Sequence, residues 1–183
     1  MGFIENIKNE NEKNKKRREE LKKINPTCIL PLGTVSEIGQ SLRDDENILY
    51  FTRGNGQSIF CTNKRIIILY INGMKQYQKQ IPIEKISSIV TQTGLMYGKI
   101  KITDNASSKI VIDKVVGDDA KIFVNKVNEQ MENYKSFKIE INNTTEKDIT
   151  DKIEKLAELH KEGILTDYEF ATKKMELLEK LKK

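Results

Sequence analysis

The spacing of hydrophobic and polar residues changes several times along this chain, and each change predicts a different element. Residues 8–20 include no hydrophobic residue, which predicts a solvated helix or a partly disordered arm that ends before Pro26. Thr34 and Glu37 have the spacing of a capping box, and apolar residues one and two turns apart surround them. We therefore expect a short amphipathic helix at this point.

The middle of the chain predicts seven antiparallel strands joined by short hairpins. Asn-Gly pairs at 55–56 and 72–73 suit type I′ turns, in which both central residues have positive φ. Alternation of apolar and polar residues over 97–103 indicates a strand with one solvent-exposed face, whereas the apolar run 66–69 indicates a strand covered on both faces. The predicted strands are 48–52, 58–62, 65–71, 75–81, 86–93, 97–103 and 109–113.

A helical period returns after Gly117, where apolar residues recur at steps of three and four as far as Tyr134. A helix that follows a meander of strands can close one end of a strongly bent sheet or barrel. The predicted fold is therefore α+β: a seven-stranded antiparallel bent barrel capped by a helix, with an N-terminal helix or arm before it and a two-helix hairpin after it.

The polar residues 142–145 mark the expected boundary between barrel and hairpin. The first hairpin helix is predicted to begin at Thr145 or Thr150 and to end before Gly163, because glycine is favoured just beyond a helix C-terminus. The predicted organisation is a charged helix or arm at 1–25, the barrel with its short helix at 26–135, a linker at 136–148 and the hairpin at 149–183.

The second hairpin helix carries strong local signals. Thr166 and Glu169 form a capping box, and Leu165 and Phe170 have the spacing of a hydrophobic staple. Two helices of about 15 residues are marginal by themselves, so the hairpin requires a partner surface. That surface is the barrel of the same chain or, because the apolar arc is wide and aliphatic, preferably a second copy. The candidate oligomerisation or docking residues are Leu156, Leu159, Leu165, Phe170, Met175, Leu177, Leu178 and Leu181.

Composition argues against several classes of function. No apolar run reaches the roughly 18 residues of a membrane span and no export signal is present, so a cytoplasmic location is expected. Cys28 and Cys61 make no disulfide framework, and neither a Cys/His cluster nor a calcium-loop spacing predicts a metal. The chain has a single histidine, His160, which argues against most catalytic triads, because they need an imidazole beside a Ser or Cys nucleophile. We therefore expect no catalytic residues, no cofactor and no metal.

The net charge of +5 raises nucleic acid or an anionic membrane as a partner. The excess is modest and spread: residues 1–25 hold 8 basic and 5 acidic side chains, 26–135 hold 14 and 11, and 136–183 hold 10 and 11. The arm concentrates cations, but acidic neighbours dilute its field and no aromatic residue is interleaved for base stacking. Binding of anionic lipid or nucleic acid is therefore the alternative hypothesis, and its candidate contacts are Lys13, Lys15, Lys16, Arg17 and Arg18.

Residues 44–135 resemble bacterial pleckstrin-homology-like (PH-like) domains of the YokE-like kind. The resemblance is carried by the blocks ENIL at 46–49, FCTNKRIII at 60–68 and IPIEKISSI at 81–89. It implies a seven-stranded bent barrel with a C-terminal capping helix. In eukaryotic members, clustered cations around the first hairpin loop bind lipid headgroups. That loop offers only Arg53 here, and one cation cannot form a multidentate phosphate site.

Residues 149–181 resemble a SHOCT (short C-terminal) domain through the blocks IEKLAEL at 153–159, GILTDYEF at 163–170 and KKMELL at 173–178. The two resemblances imply a bacterial or phage-encoded binding module whose terminal hairpin mediates association, without an established enzymatic activity. Our leading hypothesis is a non-enzymatic adaptor in which the barrel recognises a protein partner and the hairpin mediates oligomerisation or docking. Regulatory, stress-related, phage-related and host-defence roles are open, because the fold hosts many functions.

Overall fold

The computed structural model describes the backbone of residues 2–72 and 75–181, and all their side chains except those of 2–4, 6, 7, 72, 75, 141–146, 180 and 181. The chain forms two compact units, Met1–Glu132 and Asn133–Lys183. Its elements are α1 (Gly2–Ile24), α2 (Leu32–Ser41), β1 (Ile48–Gly54), β2 (Gln57–Thr62), β3 (Arg65–Asn72), β4 (Lys75–Pro82), β5 (Ile86–Thr93), β6 (Tyr97–Asp104), β7 (Lys109–Val116), α3 (Gly117–Lys161) and α4 (Asp167–Leu181).

Over the residues that the structure describes, seven antiparallel strands form two sheets, ordered β1-β2-β3-β4 and β5-β6-β7, which confirms the predicted fold class. The β1–β2 turn has positive φ at both Asn55 (48°) and Gly56 (77°), as a type I′ hairpin requires. The second Asn-Gly pair cannot be compared, because Gly73 lies outside the described residues. Strand β3 nevertheless pairs with β4 along its whole length.

The inner faces of both sheets enclose the main core, and the first turns of α3 close one end of it. Ala120, Phe123 and Val127 of α3 are fully buried in the same cluster as residues of both sheets, as expected of a capping helix. The strand residues that are fully buried there are Ile59, Cys61, Ile66, Ile100, Ile102, Ile112 and Val115. Aliphatic side chains from facing strands therefore fill the space between the sheets.

A second core covers the outer face of the first sheet. Phe51, Phe60 and Ile67 of this face pack with Val35 and Ile38 of α2, and the two phenylalanine rings stack with centroids 5.7 Å apart. Strand β3 is therefore buried on both faces, as its unbroken apolar run predicts.

The second sheet has one open face. Along β6, residues 98, 100 and 102 are buried while Lys99 and Lys101 are exposed. The predicted alternation is thus confirmed, and the polar positions of this sheet face solvent.

Two predicted helix starts are wrong. Helix α2 begins at Leu32, because the carbonyl of Pro31 already accepts the first helical hydrogen bond from Val35 N (3.2 Å). Thr34 is consequently buried inside the helix and caps nothing.

Helix α3 continues through residues 142–145, so no helix begins at Thr145 or Thr150. Asn and Thr cost at most about 0.7 kcal/mol each relative to Ala, and neither Gly nor Pro occurs between Asp118 and Glu162 to stop the helix. The predicted domain limits themselves stay predictions.

None of the helices in the described part of the chain combines the length and apolarity that a bilayer crossing requires.

Candidate functional site

The turn between α3 and α4 has the predicted local chemistry. Gly163 adopts positive φ (75°) two residues after the end of α3. The backbone N–H of Thr166 donates to Glu169 Oε2 (3.0 Å), and Glu169 N–H donates back to Thr166 Oγ1 (3.3 Å). Thr166 Oγ1 also donates to Glu169 Oε2 (2.8 Å). The hydrogen bonds that reach the carboxylate, first from the backbone N–H of Thr166 and then from its hydroxyl, lower the pKa of Glu169 from its ordinary value. The capping box at the start of α4 is therefore confirmed.

His160 joins the end of α3 to the start of α4. Its Nε2 lies 2.6 Å from Asp167 Oδ1, and its ring stacks on Phe170 with centroids 4.8 Å apart. Lys174 Nζ lies 5.6 Å from the centroid of the same phenylalanine ring. These contacts fasten the two helices at the turn, which is a structural role for the histidine.

The eight predicted docking residues fall into two groups on the hairpin. Leu156, Leu165, Phe170 and Leu177 are half-buried. Leu159, Met175 and Leu178 are exposed by 37%, 65% and 38%. The side chain of Leu181 lies outside the described residues. In the hairpin unit, the described hydrophobic side chains include a single buried residue, Ile149.

The five candidate anion contacts do not share one face of α1. Lys15 lies about 200° around the helix from Lys13, because successive residues advance by about 100°. Arg17 packs against Gly39 of α2, where a Cβ atom would come within 1.6 Å of its guanidinium. Arg18 NH2 donates to the carbonyl of Leu30 (3.5 Å). Arg17 and Arg18 thus also contact other parts of the barrel unit, whereas Lys13, Lys15 and Lys16 are exposed.

Two motif blocks of the barrel meet in a buried ion pair. Arg65 donates from Nε to Glu46 Oε1 (2.8 Å) and from NH2 to Glu46 Oε2 (2.6 Å). Thr62 Oγ1 donates to Glu46 Oε1 (2.7 Å), and Arg65 also contacts Gln80 and the carbonyl of Ser41. Burial by itself raises the pKa of Glu46, but hydrogen bonds from Arg65 and Thr62 outweigh it and hold that pKa below its ordinary value. These motif residues therefore stabilise the fold.

A second buried polar cluster surrounds Asp119. Its carboxylate accepts hydrogen bonds from the hydroxyl of Tyr50 (3.1 Å), Thr52 Oγ1 (3.3 Å) and Asn25 Nδ2 (3.1 Å). Burial, followed by the charge of Asp119, raises the pKa of Tyr50. Asn25 Nδ2 also donates to the carbonyl of Phe51 (3.0 Å), so the cluster connects the end of α1, strand β1 and the start of α3. Sequence analysis missed it, because its members are far apart in the chain.

Neither cysteine carries the chemistry of a nucleophile. Burial raises the pKa of Cys28 to about 11 and that of Cys61 to about 12, so both are thiols near neutral pH. Within the described ranges, no group of three or more His, Cys, Asp or Glu residues could hold a metal ion.

Among the exposed apolar residues that the sequence patterns did not predict are those of one turn and those of the segment that leads into α2. Leu95, which is fully exposed, and Met96 form the tip of the β5–β6 turn, where Gly94 N–H donates to the carbonyl of Tyr97 (2.8 Å). Ile29 and Leu32 are exposed just before and at the start of α2. The sequence does contain a signal for Leu95 and Met96, since Leu and Met are unusual at turn positions, which Gly, Asn and Asp favour.

Comparisons with known proteins agree with both resemblances. Residues 42–129 match the family model of the bacterial PH domain, and residues 151–178 match that of the short C-terminal domain. The predicted order of a PH-like domain followed by a SHOCT domain is thus confirmed. The comparison with curated proteins found no match.

Two solved structures are similar to part of this chain. A protein with a pleckstrin-homology domain from Shewanella loihica is 18% identical, covers 56% of this chain and 94% of its own, and has a TM-score of 0.46. A pleckstrin-homology domain from Shewanella amazonensis is 20% identical, covers 48% of this chain and 77% of its own, and has a TM-score of 0.39.

Proposed function

We propose that this chain, which carries a PH-like domain followed by a SHOCT domain, is a non-enzymatic adaptor. Its barrel binds a protein partner, and its hairpin associates with a second copy of the chain. The proposal includes the phage-related or defence-related setting that the resemblance implies.

The observation that carries the proposal is the exposure of apolar side chains on the hairpin. Leu159, Met175 and Leu178 remain at least one-third exposed although the two helices are already joined as a hairpin. Of the two helices only α4, with 15 residues, is short, because the first hairpin helix is the end of the 45-residue α3. A helix as short as α4 gains most of its stability from packing of an apolar face, and this face is incompletely packed within one chain. A second hairpin presents the same kind of surface, so association of two copies would cover it.

The barrel supports a role in binding through its outer surface. Side chains of both sheets and Phe123 fill the space between the sheets, so its interior belongs to the fold. The two buried polar clusters, around Glu46 and around Asp119, are satisfied by residues of the same chain. What is left for a partner is the surface, including the exposed apolar residues at 29, 32, 95 and 96.

Light scattering of the full-length protein at tens of micromolar tests association. We expect a mass above that of one chain, which the double substitution Met175→Glu and Leu178→Glu reduces to the monomer, because two carboxylates cannot be buried in an apolar interface. The matched control, Ala157→Glu and Ala171→Glu, adds the same charges at exposed positions and should leave the mass unchanged. A monomeric wild type would refute self-association and favour docking within the chain.

The alternative function, binding of anionic lipid or nucleic acid through the arm, stays a prediction. If the protein is retained on anionic vesicles or DNA at low salt and released at physiological salt, binding through the arm is favoured. Capture of a protein partner that does not depend on salt would favour the adaptor function.

A further inference from the structure

A small cleft lies where the C-terminal turns of α1, the segment at 26–30 and the start of α2 meet. Its volume is about 180 Å³. The floor is formed by the side chains of Leu21, Leu30, Val35 and Phe51, all of which belong to the second core and are themselves buried. The cleft is therefore an opening onto an apolar surface that α1 and α2 leave uncovered.

One side of the cleft carries positive charge. Arg18 and Lys22 both line it and lie one helical turn apart on α1. The ion pairs found among the described side chains include neither residue. The hydrogen bond from Arg18 to the carbonyl of Leu30 is long, at 3.5 Å, and leaves most of the guanidinium donors available. The rim can therefore pair with carboxylates of a bound molecule.

The size of the cleft decides what can enter it. Cofactor and drug-sized ligands occupy pockets of roughly 300–1,000 Å³, and this cleft is smaller. An apolar cavity of about 150 Å³ holds one benzene molecule. The cleft therefore fits a single apolar side chain of the size of leucine or phenylalanine.

The surroundings of the cleft favour a peptide over a free carboxylic acid. Ile29, which lines the cleft, is 79% exposed, and Leu32 at the start of α2 is 72% exposed. A ligand small enough for the cleft would leave most of this apolar surface in water, whereas a peptide chain would cover it. Positive charge beside the same surface selects an acidic peptide.

We infer that this cleft binds an acidic segment of a partner protein, with one leucine or phenylalanine side chain on its floor and carboxylates at Arg18 and Lys22. The inference rests on the proposed function, because it gives the barrel unit its partner-binding surface. Among the residues that form the cleft, only Phe51 falls within the PH-domain match at 42–129. The site is thus made largely by α1 and by the segment that joins it to α2.

The test is a titration of the ¹⁵N-labelled full-length protein with a terminally blocked peptide, Glu-Asp-Leu-Phe-Asp-Glu, followed by amide chemical shifts. We expect shift changes concentrated at Cys28, Leu30 and Val35, with affinity that falls as salt is added. A peptide with Ser-Ser at its centre should bind at least about tenfold more weakly, since it loses the side chain that fills the cleft.

Two neighbouring lysines provide a matched pair of variants. Lys22→Glu reverses a charge on the rim and should weaken peptide binding about fivefold, whereas Lys23→Glu makes the same change at the next position of the helix and should weaken it less than about twofold. Both lysines are exposed, so neither substitution removes a buried contact. Arg18→Gln provides a second rim variant with the same expected direction.

Three outcomes would overturn the inference: no cleft shifts at about 1 mM peptide, equal weakening by both lysine variants, or octanoate binding as tightly as the peptide, which would assign the cleft to a free carboxylic acid. The failure of the hairpin to associate would show in the light-scattering mass and would leave the peptide titration unaffected. Failure of each proposal is therefore distinguishable from failure of the other.

Discussion

Apolar side chains have different surroundings in the two units of this chain. In the barrel unit, Phe51 and Phe60 stack beneath two helices, and Phe123 closes the space between the sheets. In the hairpin unit, Phe137 is exposed on α3 and Met175 is exposed on α4. The barrel thus buries most of its large apolar residues within one chain, while the hairpin leaves much of its apolar surface available to a partner. We therefore expect burial of apolar side chains to stabilise mainly the barrel, and the exposed apolar surface of the hairpin is the basis of the proposal that it associates with a second copy.

The largest expected difference between the units comes from one substitution made in each. Phe51→Ala should lower the free energy of unfolding by about 3–5 kcal/mol, because it leaves a cavity next to Phe60. Phe137→Ala removes the same ring from an exposed position and should change the free energy of unfolding by no more than about 0.5 kcal/mol. Urea denaturation of the two variants measures both values, and equal values would contradict the contrast.

A somewhat smaller loss of about 3 kcal/mol is expected from Arg65→Ala, because the carboxylate of Glu46 would then be buried without its partner. Lys99→Ala is the matched control, since Lys99 pairs with Asp113 at the surface and the pair contributes less than about 1 kcal/mol. Urea denaturation at neutral pH compares the two variants. If Arg65→Ala lowers the free energy of unfolding no more than the control does, this ion pair does not stabilise the barrel.

The same ion pair predicts a pH dependence. The pKa of Glu46 is lower in the folded chain than its ordinary value of 4.5, so ionised Glu46 contributes stability above about pH 4.5 and loses that contribution as the pH falls through the folded value. The difference in unfolding free energy between wild type and Glu46→Gln should therefore be full at pH 7 and shrink below pH 4.5. A difference that stays constant from pH 7 to pH 3 would contradict this assignment.

The smallest expected effect is in the hairpin and should be local. Thr166→Ala removes the side-chain oxygen that caps α4 and should destabilise this helix by about 1 kcal/mol. Native-state hydrogen exchange should be about fivefold faster for amides of α4 and unchanged in the barrel. Thr172→Ala, inside the same helix, is the control and should have no such effect. Faster exchange throughout the chain would mean that the two units unfold together.

Sequence patterns determined the features that depend on residues close together in the chain. The type I′ turn at Asn55 and Gly56, the alternation along β6 and the capping box of Thr166 and Glu169 were all predicted and confirmed. In each case the interacting groups lie within a few residues, so local geometry is sufficient. The continuous apolar run of β3 even predicted its burial on both faces.

Helix limits were less predictable, because a local preference of less than about 1 kcal/mol per residue is easily outweighed by hydrogen bonds and packing from the rest of the helix. The carbonyl of Pro31 starts α2 before the capping pattern at Thr34, and α3 continues through residues 142–145, whose helix propensities are only slightly unfavourable. Of the candidate site residues, the sequence identified the apolar positions of the hairpin but not which of them are exposed.

The sequence by itself thus determined the strands, their order and which faces are apolar, but not that the capping helix and the first hairpin helix are one continuous helix, α3. Only the tertiary structure decided which faces meet. Asn25 and Asp119 form a hydrogen bond across 94 residues of sequence, and Arg17 and Arg18 contact α2 and the segment before it, which no local pattern predicted. The cleft beside Lys22 likewise exists only after α1 has packed on the barrel. Periodicity records the direction of a side chain relative to its own element, whereas contacts between distant elements depend on the free energy of packing all of them together.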